Sequence, residues 1–273
     1  MSERRHPAAR SPLELVRDRL RKDGWYDSAD YWNLKARSYS GIARSSWPSN
    51  RYNAETQRLH LTTIERALGD LSGQRVLDLG CGTGRIAIEL AARGARVSGW
   101  DFAEDALAAA RRDAEARNVG VDFRRVDVRA GFPEVQDPFD VVLTVSCLVL
   151  ACRTGGELDA AAKSLARVCA PNARVLLLEP IHSSRLLRRI LKMSEPEWIR
   201  RMASAGLALE HRGAISFLPT RYLFAFRDAP ERWLKPAFWS GERLLAKYPR
   251  LGRLGDYKWH LYRATGSPSA ESG

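Results

Sequence analysis

The run from Arg75 to Gly84, RVLDLGCGTG, constrains the fold more than any other stretch of the chain. Val76, Leu77 and Leu79 form an apolar segment of the length of a buried strand. Asp78, Gly80, Gly82 and Gly84 then follow the pattern D-x-G-x-G-x-G. A helical pattern runs from Arg85 to Arg93 and stops at Gly94, a natural C′ residue. Strand, glycine turn and helix together open a nucleotide-binding α/β unit. Glycines suit a loop whose backbone a ligand must touch, because a Cβ would block the approach. The spacing is tighter than the dinucleotide fingerprint G-x-G-x-x-G. With the Asp78 carboxylate just ahead of it, the loop suits an ammonium-bearing amino-acid moiety better than a pyrophosphate.

The rest of the chain alternates in the same way. ARVSGWD predicts a second strand ending at Asp101, seventeen residues beyond Gly84. A carboxylate there can accept both ribose hydroxyls. Glu104 to Asn118 predicts a helix with an inward stripe of Leu107, Ala110 and Ala114. A third strand, Val121 to Val126, ends at Asp127-Val128. The run FDVVLTVSCLVL, Phe139 to Leu150, reads as a central parallel strand buried on both faces, leaving the sheet near Ser146-Cys147. A helix over Glu157 to Cys169 and a fifth strand over Arg174 to Leu178 follow, leading into Glu179-Pro180-Ile181-His182. Five such units predict a doubly wound sheet. Asp78, Asp101 and Asp127 all fall at carboxyl ends of predicted strands, where these folds bind ligands.

These motifs resemble those of the class I S-adenosylmethionine-dependent methyltransferases, in particular the small-molecule enzymes of the ubiquinone-biosynthesis type. The resemblance is close over Leu59 to Leu178. It implies an α/β, Rossmann-like, seven-stranded sheet with an antiparallel last strand, a helical N-terminal cover and an insertion before that strand. It implies S-adenosylmethionine as cofactor, held by Asp78, Gly80, Cys81, Gly82 and Gly84. Asp101 and Phe102 would serve the ribose, Asp127 would accept from the adenine amino group and Val128 would present a backbone N–H. Ser146 would lie at the fourth motif, and Tyr39 and the Arg51–Tyr52 pair over the pocket. The domain limits expected are 1–52 for the cover and 53–264 for the methyltransferase domain, with 219–255 inserted as a candidate lid and 265–273 as a disordered tail.

On the flanks, Ser11, Pro12 and Glu14 begin a helix that Gly24 ends. Tyr31 and Trp32 lie in a segment over Ser28 to Arg37, and Asn53 to Leu68 reads as a helix. Ser194 and Glu197 form a capping box for a helix ending before Gly206. Leu207 to Leu218 and Tyr257 to Ala264 read as strands six and seven. In the insertion, Trp233, Ala237, Phe238, Gly241, Leu244, Leu245 and Tyr248 fall at helical spacing, in a helix expected to start near Pro236. This face either packs on the sheet, covers an apolar substrate, or touches a membrane beside Arg232, Lys235, Arg243 and Lys247.

The formal charge is +12, and 15 Lys or Arg against 6 Asp or Glu place +9 of it between Arg185 and Arg253. Such an excess serves an acidic substrate, a nucleic acid or an anionic membrane surface, or is a solvated face. The chain shows no apolar h-region and no membrane-length apolar run, which points to the cytoplasm. Cys81, Cys147, Cys152 and Cys169 form no C-x-x-C pair and read as reduced thiols. No metal site is expected, because no His/Cys/Asp cluster has ligand spacing.

Methyl transfer from a sulfonium needs an aligned, desolvated nucleophile. A base is needed only for a protonated acceptor such as an alcohol or phenol. His182 is the candidate base, since it follows strand five and titrates near neutrality, with Glu179 placed to orient it. The expected acceptor is a small, partly apolar, lipid-like molecule methylated on O or N. No specific nucleic-acid partner is expected, and peripheral membrane contact is a candidate. An NAD-dependent oxidoreductase is the alternative, opposed by the loop spacing and Asp127. A nucleic-acid-directed methyltransferase is opposed by SCLVLAC, which lacks an N/D/S-P-P-Y/F run. A non-enzymatic binding module is opposed by the intact loop and acids.

Overall fold

In the computed structural model, residues 27–182 and 191–265 are described. The helix expected over 11–24 and the tail from 266 onward lie outside them. Seven strands form one sheet in the order β3-β2-β1-β4-β5-β7-β6. They are β1 (Arg75–Leu79), β2 (Arg96–Asp101), β3 (Asp122–Arg125), β4 (Phe139–Val145), β5 (Cys169–Glu179), β6 (Leu207–Phe217) and β7 (Gly255–Ala264). The first five pair in parallel, and β7 runs antiparallel to both β5 and β6.

The period-2 alternation of strand side chains divides the core in two. Leu77, Leu79, Val142, Val175 and Leu177 face one side. Val76, Val141, Leu143, Leu176 and Leu178 face the other. With both faces apolar, both need helices to cover them. One layer holds α6 (Gly155–Arg167) and α7 (Glu195–Ser204), through Leu158, Leu165, Trp198 and Met202. The other holds α2 (Asn50–Leu68), α3 (Ala87–Ala92), α4 (Glu104–Ala116) and α9 (Glu231–Lys247). Its anchors include Tyr52, Ile64, Ile88, Leu107 and Phe238. The cover α1 (Ala29–Ser38) starts at Ser28, whose hydroxyl accepts from the Tyr31 N–H.

Three local expectations are corrected. The apolar run to Leu150 is not one strand: Leu148–Ala151 is a helical turn, α5. The buried Glu179 carboxylate captures its N-terminus, accepting from the N–H groups of Cys147 and Leu148 at 3.1 Å and Val149 at 3.3 Å. Secondly, the helix of the insertion starts at Glu231 and contains Pro236. Pro236 lies on its exposed side, where water can satisfy the carbonyl that loses a donor. Thirdly, the stripe expected there splits. Leu234, Phe238, Gly241 and Leu245 are buried, whereas Trp233 and Tyr248 are exposed.

The insertion is seated by polar contacts. Arg221 of α8 (Leu218–Phe224) forms a fully buried ion pair with Asp256 of β7, and its guanidinium lies 5.3 Å from the Trp47 ring. The Ser49 hydroxyl donates to Asp228 at 2.6 Å, and Trp47 meets Phe226 edge-on. Cover and insertion therefore pack on each other. Among the described residues no helix is long and apolar enough to cross a membrane.

Removing one partner of a buried pair strands the other's charge. Asp256→Ala is expected to cost about 3–5 kcal/mol of stability, read as a lower denaturant midpoint. The double variant Arg221→Met, Asp256→Leu should lose much less. A single variant as stable as the wild type would show that the pair does not secure α8.

Candidate cofactor and acceptor site

At the carboxyl ends of β1, β2 and β4 a cavity opens to solvent. Its acidic end is built by the glycine loop and the end of β2. The N–H groups of Gly80 and Cys81 donate to the Trp100 carbonyl at 2.7 and 3.1 Å. Asp101 accepts from the Gly82 N–H at 2.8 Å and from the Ala103 N–H at 2.9 Å. Those two bonds aim the carboxylate and leave lone pairs over for hydroxyl donors. Burial raises the Asp101 pKa, and the two amides oppose the rise.

Asp78 is also buried, with the Ala87 N–H donating to it at 3.1 Å. Burial pushes its pKa up to about 7, against the pull of Arg85. A carboxylate poised in this way favours a cationic ligand, whose charge offsets the cost of ionisation. Asp127 is different. Partial burial works against its ionisation, but hydrogen bonds from Arg129, including 2.8 Å to Nη2, outweigh this and hold its pKa low.

The loop glycines have more than one task. Gly80, Gly82 and Gly84 all have positive φ, at 74°, 55° and 74°. A Cβ on Gly80 would lie 2.5 Å from the Cys147 side chain. On Gly84 it would press on Phe123, Ala110 and Ile88, behind the cavity. The glycines thus admit neighbouring side chains of the protein as well as any ligand.

The cavity brings together Asp78, Gly80, Cys81, Gly82, Asp101, Phe102, Asp127, Val128 and Ser146. Other residues singled out in the sequence lie off its lining, Tyr52 among them, fully buried in the core with its ring 5.3 Å from that of Phe238. Gly84 is behind it. Tyr39 borders a separate surface groove, 5.9 Å from Lys35 Nζ. Arg51 is exposed and donates to the Ala229 carbonyl at 3.2 Å. His182 is fully buried, with Nε2 3.3 Å from Asp256. Glu179 does not orient it, being engaged with α5 and the Thr144 hydroxyl.

Sequence reasoning missed Arg44, Ser45, Arg85 and Tyr257, all on the lining. Ser45 reaches it from the cover, its hydroxyl 3.1 Å from that of Thr83. Arg85 is half-buried and contacts Nδ1 of His60, whose pKa burial and Arg85 hold well below its usual value. Tyr257 enters at the far end, its hydroxyl 3.1 Å from that of Ser146. Ser146 itself has φ 61°, uncommon for a non-glycine residue. Only its place after an apolar strand hinted at such a turn. Among the described residues no three His, Cys, Asp or Glu side chains are placed to hold a metal ion.

A family model for a methyltransferase domain matches residues 76–172. The ubiquinone biosynthesis O-methyltransferase of Chromobacterium violaceum is 30% identical over 219 residues, 71% of this chain and 91% of that relative. The chain belongs to the class I S-adenosylmethionine-dependent methyltransferases. The enzyme of the same name from Bordetella pertussis is 36% identical over 113 residues, and the match spans 40% of this chain and 47% of that relative. Magnesium protoporphyrin IX methyltransferase from Synechocystis, solved with bound SAH, shares the fold at a TM-score of 0.57 and 17% identity, covering 92% of this chain and 99% of its own. The [4+2]-cyclase SpnF does so at 0.59 and 21%, covering 96% and 98%. The cofactor of this methyltransferase fold is S-adenosylmethionine, and the cavity's buried acids and backbone loop fit it. Asp78 would face its ammonium and Asp101 its ribose.

Two measurements test this. Asp101→Ala should weaken S-adenosylmethionine binding by about 1.5–3 kcal/mol, the range for hydrogen bonds to a charged group, in calorimetry. Ionisation of Asp78 is disfavoured in the empty fold, so it costs stability as pH rises from the ordinary carboxylate range through 7. A cationic ligand opposes that cost. Affinity should therefore rise about fivefold to tenfold between pH 6 and 7.5, and Asp78→Asn should flatten the profile. Equal affinity at both pH values would remove Asp78 from the ammonium site.

Proposed function

We propose that the protein transfers the methyl group of S-adenosylmethionine to an oxygen or nitrogen atom of a small, partly apolar acceptor. The observation that carries this reading is the far end of the cavity. There the paired hydroxyls of Ser146 and Tyr257 stand among Val145, Leu150 and Ala151. A partly apolar wall carrying these hydroxyls, with Arg85 near Tyr257, suits a partly apolar body bearing a reactive polar atom. The similarity to O-methyltransferases of ubiquinone biosynthesis supports oxygen as that atom.

S-adenosylmethionine supplies an electrophilic methyl group on a neutral leaving group. The chain's own contribution is alignment and exclusion of water. The Ser146–Tyr257 pair would orient the acceptor. A hydroxyl acceptor also requires that its proton be taken up. We assign that role to His182, whose Nε2 lies 3.3 Å from Asp256. Asp256 is the neighbour of Tyr257 at the start of β7, and through it His182 sits at that end of the strand.

A methyl-transfer assay over phenol and amine acceptors tests the reading. With a phenol, His182→Ala is expected to lower turnover by about 10²–10⁴ while cofactor affinity holds. With an amine the loss should be small. Full activity of the variant on a phenol would end the base assignment, and absence of transfer to either class would end the small-molecule reading.

A further inference from the structure

The insertion presents a surface that neither the cavity nor the core uses. Trp233 and Trp239 of α9 are 60% and 59% exposed, Leu223 of α8 70% and Tyr248 48%. The inward side of α9 is already seated through Leu234, Phe238 and Leu245, with Gly241 close against Phe217. Arg232, Pro236, Trp239, Arg243 and Lys247 recur at steps of four, three, four and four residues, one stripe on a 3.6-residue helix. Trp233 stands beside the first of them. The stripe carries three cations and no acid.

The two carboxylates of α9 are occupied elsewhere. Glu231 pairs with Lys235 at 2.6 Å. Glu242 turns inward and accepts from the Ser216 N–H at 2.8 Å and the Phe217 N–H at 3.3 Å. The cations lie over the exposed rings: Arg232 is 5.5 Å from Trp233, Arg243 4.5 Å from Trp239 and Lys247 5.4 Å from Tyr248. Arg250 and Arg253 extend the positive charge beyond the helix.

We propose that this outer face of α9, with Leu223 and Tyr248, docks the protein on an anionic lipid bilayer. Tryptophan and tyrosine favour the depth of lipid headgroups, and arginine and lysine beside them meet the anionic phosphates. The occupant follows from charge. A second copy of a +12 chain would repel this basic face, whereas an anionic surface neutralises it. A single-stranded nucleic acid would want a groove for its stacked bases, and this is one side of a single helix. From α9 the chain runs through one short 3-10 segment, Pro249–Leu254, into β7, whose Tyr257 lines the cavity. The inference goes beyond the choice of acceptor and needs no turnover to be tested.

The full chain is floated with vesicles of phosphatidylcholine, alone or mixed with phosphatidylglycerol. Binding is expected only to the mixed vesicles, with a blue shift of tryptophan emission and strong weakening at high salt. Trp233→Ala with Trp239→Ala should reduce partitioning at least tenfold, and Arg243→Glu should do the same at low salt. All three side chains are exposed, so the melting temperature should not change, which keeps a loss of binding interpretable. Wild-type partitioning by these variants, or equal binding to neutral vesicles, would overturn the proposal. So would tight binding to a single-stranded oligonucleotide without vesicle binding, which would give the face to nucleic acid.

Discussion

Asp101 is the point on which the site depends. Its carboxylate accepts an N–H from the loop after β1 and another from the turn after β2. Two connections that are far apart in sequence are thereby held as one rim. The Trp100 carbonyl adds two more bonds to the same loop. The carboxylate can do this because it is buried, where an unpartnered acceptor would be costly and a partnered one is rigid. The same burial raises its pKa, while the two amide bonds aim the carboxylate, which lines the cavity. Order in the glycine loop and readiness for a hydroxyl donor therefore have one cause.

A second buried carboxylate, Glu179, performs an analogous task on the other side of β4. It ends β4 by capturing the start of α5, and so sets the turn at which Ser146 takes a positive φ. Ser146 meets Tyr257 only because β7 returns antiparallel beside β5. The apolar end of the cavity is thus assembled from the middle and the last part of the chain. The ion pair between Arg221 and Asp256 joins the insertion to that same strand. Through it, the cover, the insertion and the cavity wall form one packed unit.

Much of this was legible in the sequence. The glycine loop, the alternation of strands and helices, and three acids at strand ends define the sheet and its acidic rim. They are legible because each is a local pattern: a period of two, a period of 3.6, or a turn that needs glycine. The family resemblance supplied the sheet's antiparallel end. Burial of the stripes Leu107-Ala110-Ala114 and Leu158-Leu165 follows from spacing alone. The split of the α9 stripe was not legible, because an aromatic at helical spacing reads as core until the partner surface is known.

Tertiary structure decided the rest, for a physical reason that recurs. Whether a polar side chain lines a cavity or secures a fold depends on which distant group meets it. Glu179 turned away from His182 because three amides of α5 stood closer to its need for donors. Arg51 found the Ala229 carbonyl, whereas Ser45, with no sequence signal, reached the rim through Thr83. The sequence by itself determined the strand ends and what chemistry could stand there. Only the packed chain determined which hydroxyls, rings and cations face the same space, because those contacts join residues that no local period relates.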